Sequence, residues 1–137
     1  MDIMPSDPNL GLPNRWYSEA IANTEGAVVG ALTVRIISAP YFIATKLDAF
    51  GDGRRGDHGA SRDLEDVIAI LDGRASIDTD VRSAPTTVKE FIAERFRLLL
   101  ADPRFVDAVA GHLPGDSASQ ARLPLVLARM RAIASVA

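Results

Sequence analysis

Lys46-Leu-Asp-Ala-Phe-Gly-Asp-Gly-Arg-Arg-Gly-Asp-His-Gly-Ala-Ser-Arg-Asp-Leu-Glu-Asp-Val-Ile68 decides how this chain is read, because it sets a lysine, a glycine-rich connection and an acidic helix start in succession. Phe42 lies one helical turn before Lys46 and Phe50 one turn after it, with Ile43 and Leu47 beside it, so on a helix the lysine emerges from an apolar stripe. An ammonium there is costly without an anionic partner. Two readings stand: its methylenes cover the core while the charge reaches water, or it meets a phosphate or pairs with Asp63 or Asp66. Gly51 to Gly59 holds four glycines in nine residues, enough freedom to wrap an anion, and Arg54 and Arg55 supply planar, multidentate donors. A triphosphate suits that donor set, and so does a solvated connection between helices. The spacing is neither a P-loop nor a dinucleotide fingerprint, since no strand precedes it and no Lys-Ser/Thr ends it. His58, beside Asp57, reads as an exposed loop histidine. Asp63, Glu65 and Asp66 fall in the first turn of a helix, where its dipole favours acids without any function, and Asp63 and Asp66, three apart, share a face.

Working outward, Leu64, Val67, Ile68 and Leu71 follow helical spacing and predict a helix from Ser61 to just before Gly73, which suits a left-handed C-terminal position. Ser38-Ala39-Pro40 predicts the start of the helix that carries Lys46, with Ser38 accepting from the first turn's amides and the helix running to about Phe50. Thr86 to Ala101 predicts another, with Thr87 and Glu90 at capping-box spacing and Phe91, Phe96, Leu98 and Leu99 as apolar mass. Pro103 starts a further helix through about Gly111. The last runs from Ser117 to Ala134, with Pro124 marking a kink or a later start.

The front of the chain reads differently. Met1 to Pro5 resembles the end of a strand, and Ser6 to Asn14, with three interruptions by Pro and Gly, reads as loop. Arg15 to Asn23 reads as a short helix with Trp16, Ala20 and Ile21 inward. Ala27 to Leu32 and Thr33 to Ser38, rich in Val and Ile, predict two strands with Gly30-Ala31 at the hairpin tip. The expected class is α+β: a small mixed or antiparallel sheet over residues 1–38 packed on a helical half over residues 39–137, all in one domain.

Composition sets bounds. The chain has 137 residues, 47% hydrophobic and 24% charged, which is ordinary for a globular domain and far from the disordered regime. A net charge of -3 gives no general attraction to nucleic acid, so phosphate binding must come from a local cluster. Cysteine is absent, which excludes disulfides and thiolate-bound zinc. No apolar run approaches the ~20 residues of a membrane span, and a cytoplasmic protein is expected.

Three blocks carry a family resemblance: Asn14-Arg-Trp-Tyr17, Ala39-Pro-Tyr-Phe-Ile-Ala-Thr-Lys-Leu47 and Asp63-Leu-Glu-Asp66. Together they resemble the nucleotidyltransferase-like proteins of the AbiEii toxin type, from type IV toxin–antitoxin systems. The resemblance implies a protein that transfers a nucleotide from a nucleoside triphosphate to a protein or RNA acceptor. It implies that Lys46, Arg54, Arg55, Asp63 and Asp66 face the nucleotide, and that Asp2, in Met1-Asp-Ile-Met-Pro5, is the third catalytic acid and a metal ligand. Chemistry of this kind uses Mg²⁺ and a nucleoside triphosphate, the metals neutralising phosphate charge and activating the attacking oxygen. The family's Gly-Ser turn and Asp-x-Asp strand are missing, since no Gly-Ser dipeptide occurs in the chain. Asp78-Thr-Asp80 imitates the carboxylate pair but follows the Lys46 block and reads as a helix start or turn. The sequence thus predicts an incomplete nucleotidyltransferase-like fold that lacks the family's first catalytic strands.

A different class of function competes with it: a non-enzymatic interaction module or toxin–antitoxin component that forms a homodimer or binds a partner protein. Nucleic-acid binding through Arg95, Arg97, Arg104, Arg122, Arg129 and Arg131 is weakened by interleaved acids such as Glu90, Glu94, Asp102 and Asp107, and those arginines read mostly as a solvated face.

Overall fold

Burial on nearly every side makes one helix the centre of this molecule. The computed structural model describes residues 16–22, 24–29, 32–51 and 62–135. In helix α2 (Ala39–Phe50), eight of the twelve residues are buried, including Tyr41, Ile43, Ala44, Leu47 and Phe50. A helix apolar around most of its circumference has to be enclosed by neighbours. Helices α1 (Tyr17–Ala22), α3 (Arg62–Gly73), α4 (Ile77–Arg82) and α5 (Thr86–Leu100) supply them. The chain continues through α6 (Pro103–Val109), a 3₁₀ turn (Ala110–His112), α7 (Ser117–Gln120) and α8 (Leu123–Ala134). Helices α3, α4 and α5 each pack on both α2 and α8. Phe96, Leu71, Ile77, Ile92, Met130 and Ile133 fill the space between them, all essentially inaccessible to water.

This arrangement overturns the α+β expectation. Helix accounts for most of the described residues. Among the described residues, strand pairing is confined to a two-stranded antiparallel ladder, β1 (Thr24–Val29) with β2 (Leu32–Ile37), in register from Thr24↔Ile37 to Val29↔Leu32. Two strands form no layer on which a helical half can rest. The described core is made by helices packing on helices, to which the ladder adds the half-buried Ile37. Val and Ile richness signals local extension well, but the class is set by which faces bury the most surface. The expected hairpin tip at Gly30-Ala31 and the expected strand end at Met1–Pro5 lie outside the described residues.

Several helix ends differ from their sequence signals. Ser38 sits at the N-cap of α2 in extended backbone, yet its side chain makes no capping bond. Thr87 and Glu90 form no capping box: α5 begins at Thr86 as expected, but its N-cap is Pro85, two residues before Thr87, with no side-chain cap. Gly73 is the last helical residue of α3, whereas Gly51, with φ +86°, is the position after α2 where a side chain would be strained. Pro124 marks the later start rather than a kink, since α8 opens with it in the first turn and α7 stands apart. Trp16 and Ala20 are buried as their spacing predicts, but Ile21 is 44% exposed and Leu98 on α5 49% exposed. Trp16 bridges α1 to its neighbours through tilted ring contacts, 5.0 Å to Phe91 and 6.5 Å to Tyr41.

Because Phe96 is wholly enclosed, Phe96→Ala should lower unfolding free energy by about 3–5 kcal/mol. Urea denaturation followed by circular dichroism checks this, and a loss below about 1 kcal/mol would mean that the site collapses around the deletion.

Candidate functional site

Enclosure of α2 leaves Phe42, Lys46 and Asp48 as its half-buried positions, and Lys46 leaves the core on this strip. Its Nζ lies 2.8 Å from Asp66 Oδ2 and 3.9 Å from Asp63 Oδ1. The shorter contact is a charge-assisted hydrogen bond, and the longer one is an ion pair without a hydrogen bond. The same ammonium lies 5.4 Å from the centroid of the Phe42 ring, one turn back on α2. Asp63 and Asp66 share one face of α3 because its buried face is fixed by Leu64, Val67, Ile68 and Leu71. Residues from two helices are thus brought together by the packing of α2 on α3, and the sequence-predicted trio Lys46, Asp63 and Asp66 forms one cluster. The Lys46 side chain is 29% exposed and that of Asp66 44%, so the cluster sits at the surface.

Arg54, Arg55 and Asp2, also assigned to the site from sequence, lie outside the described residues, as does His58. Asp78 and Asp80 are not a strand pair: both sit on α4, where Asp80 accepts from Arg74 Nε at 2.5 Å and from Ser76 Oγ at 3.0 Å, and Asp78 lies 4.0 Å from Arg82. Among the described residues no group of three or more His, Cys, Asp or Glu side chains is arranged to hold a metal ion.

The arginines show what the sequence reading missed. Arg122 donates from Nε and Nη2 to the two oxygens of Asp72, at 2.6 and 3.1 Å, across fifty residues of chain. Arg129 Nη1 donates to the carbonyls of Leu71 and Asp72, at 2.5 and 3.2 Å. Two guanidinium groups at the α8 end of the molecule thus close the C-terminal end of α3, where unpaired carbonyls and the negative end of the helix dipole accumulate. Arg97 Nη1 reaches the Ala134 carbonyl at 2.6 Å, and Arg95 Nη1 reaches the Gly51 carbonyl at 2.6 Å. Arg95, Arg97, Arg122 and Arg129 thus donate between elements, whereas Arg104, 67% exposed, pairs only with the nearby Asp102 and Arg131 is exposed, as a solvated face expects. Local sequence does not say which distant carbonyl each one meets.

Two hollows lie away from Lys46. One, about 330 Å³, is lined by Ser38, Tyr41, Arg74, Asp80 and Ser83 among others, and one of about 380 Å³ by Glu65, Asp72, His112 and Leu113 among others. Each holds charged groups already engaged, Arg74 with Asp80 and Asp72 with Arg122. No described helix is long and apolar enough to cross a membrane. No family model matches the chain, and no curated protein or solved structure matches it at significant similarity.

The hydrogen bond from Arg122 holds the Asp72 carboxyl below the ordinary value of 3.8, against the opposing effect of burial. A carboxyl whose folded value is lowered adds stability above the ordinary value, and that stability disappears as pH falls below it. Asp72→Asn should therefore flatten the acid side of the stability profile: between pH 5 and pH 2.5 the variant loses less than the wild type. Urea midpoints across that range give the comparison, and parallel profiles would show that Asp72 is not a stabilising partner.

Proposed function

We propose that this chain is the helical, nucleotide-contacting part of a nucleotidyltransferase-like protein of the AbiEii type, binding a magnesium–nucleoside triphosphate complex in the cytoplasm. The observation that carries the reading is the 2.8 Å contact between Lys46 and Asp66, which joins two of the family-like blocks at one surface point. Lys46, Arg54 and Arg55 supply positive charge to the phosphates. Asp63 and Asp66 orient the lysine, holding its ammonium at the mouth of the α2–α3 pair. One ammonium beside two carboxylates leaves the described cluster net negative, so a bare triphosphate is disfavoured there. Bound magnesium lowers the charge of the triphosphate and with it that repulsion. The transfer step itself is not assigned to the described residues.

A second reading is a non-enzymatic module that dimerises or binds a partner protein. It is favoured by the same contact read differently: the charge of Lys46 is already matched, so the cluster is complete without a ligand.

Amide chemical shifts of the whole chain, titrated with each of the four ribonucleoside triphosphates and magnesium, separate the two. The nucleotide reading expects saturable shifts at the end of α2 and the start of α3, with affinity reduced at least about tenfold in Lys46→Ala and unfolding free energy changed by less than about 1 kcal/mol, because the pair is partly solvated. Binding unchanged in Lys46→Ala would exclude the lysine as a phosphate contact. Absence of shifts with every nucleotide would leave the interaction module.

A further inference from the structure

Residues 113–121 are held differently from the rest of the described chain. They hang between two packed anchors: the 3₁₀ turn, which lies on α3 and α6, and α8, which lies on α3, α4 and α5. Of their side chains only Leu113 and Ser119 are buried, and among the described elements α7 packs extensively on none. With so little apolar burial, polar contacts have to hold the stretch in place. Asp116 accepts from Ser119 N at 2.9 Å and from Ser119 Oγ at 2.7 Å, and Gln120 Nε2 donates back to the Ala110 and Pro114 carbonyls at 2.9 and 3.1 Å. These bonds tie the stretch to itself and to the 3₁₀ turn. A tie to α3 runs through Arg122. The guanidinium that grips Asp72 also reaches Ser119 Oγ from Nη2 at 3.2 Å and the Ala118 carbonyl from Nη1 at 3.5 Å. Leu113 and Pro114, with Gly111, wall the hollow of about 380 Å³ that Ala69 and Asp72 of α3 also line.

We propose that residues 113–121 are a strap that opens and recloses as a unit while the helical core stays folded, with the Arg122–Asp72 pair as its latch. Opening breaks that pair and withdraws Leu113, so the hollow against α3 loses a wall and Ala69 and Asp72 become accessible. It costs the burial of one leucine and the latch contacts, far less than separating helices that enclose Ile92, Phe96 and Met130 between them. Arg129 offers a built-in control. It donates to the same end of α3, at the Leu71 and Asp72 carbonyls, from within α8, and bonds to nothing in the strap. Its contacts therefore survive strap opening and are lost only when the helices come apart.

The test is hydrogen exchange of the full chain, followed amide by amide at increasing urea, in the wild type, Arg122→Met and Arg129→Met. Methionine keeps the apolar stem and removes the donors. The amides of Leu113, Ser119, Gln120 and Ala121 donate to Ala110 O, Asp116 Oδ2, Asp116 O and Ser117 O, within the strap or to the turn before it. These four are expected to share one opening, more frequent than that of the slowest α5 amides and less steeply dependent on urea. Arg122→Met is expected to raise exchange of the four about tenfold, the scale of one hydrogen bond to a charged group. Arg129→Met is expected to speed the slowest α5 amides and leave the four at wild-type rates. Strap and α5 amides with the same opening free energy and urea dependence in the wild type would overturn the proposal, since the strap would then open only with the helices. Four unequal, urea-independent rates would overturn it as well, by showing separate fraying. Unchanged strap exchange in Arg122→Met would remove the latch. Should Arg122→Met not fold, Asp72→Asn breaks the same pair from α3, and faster exchange of the four supports the latch while wild-type rates contradict it.

Discussion

Enclosing α2 is the constraint from which the rest of the structure follows. A twelve-residue helix with eight buried positions cannot be stabilised by one partner face, so α1, α3, α4 and α5 gather round it. Apolar burial at about 25 cal/mol per Å² makes this the dominant favourable term, and it dictates where polar groups go. Thr45, almost buried, turns its hydroxyl back to the Phe42 carbonyl at 2.8 Å. Lys46 has no such local solution. Its ammonium leaves through the gap between α2 and α3, and the first turn of α3 meets it with two carboxylates. The candidate site is in this sense a product of core packing: the same contact that buries Leu64 and Val67 brings Asp63 and Asp66 to the lysine.

Long-range arginines complete what apolar packing begins. The end of α3 is held by Arg122 and Arg129, the end of α2 by Arg95, and the end of α8 by Arg97. Carbonyls at helix C-termini need donors, and a guanidinium can serve several at once. Tyr41 shows the opposite case: burial, aided by the negative charge of Glu19, raises its phenol above the ordinary value and keeps it neutral. Polar groups enter this interior where a partner or neutrality allows it.

Legibility in the sequence divides along the same physical line. Helical spacing located α3 and its core face, and Pro40 in the first turn located the start of α2, because these depend on residues within one turn of each other. The meeting of Lys46 with Asp63 and Asp66 was legible because a charge emerging from an apolar stripe must find an opposite charge, and an acidic helix start was the nearest candidate. The expected sheet layer failed because β-forming composition over residues 27–38 says nothing of how little a two-stranded ladder contributes to a helical core. Gly73 was credited with the special backbone that Gly51 adopts, since either glycine suits a helix end and tertiary tethering decides between them. The arginine clamps were illegible for a similar reason: their acceptors lie 37 to 58 residues away, beyond any local pattern.

The nucleotide role proposed for Lys46 can be tested directly through the composition of the chain. Lysine occurs only at positions 46 and 89. An acyl-phosphate derivative of a nucleoside triphosphate acylates lysines lying beside bound phosphates, and peptide mass mapping then reads which of the two is labelled. Selective acylation of Lys46, suppressed by excess unmodified nucleotide with magnesium, is the predicted result. Labelling of Lys46 and Lys89 to the same extent, unaffected by competing nucleotide, would contradict the account and leave the Lys46–Asp66 pair as a structural contact of the α2–α3 interface.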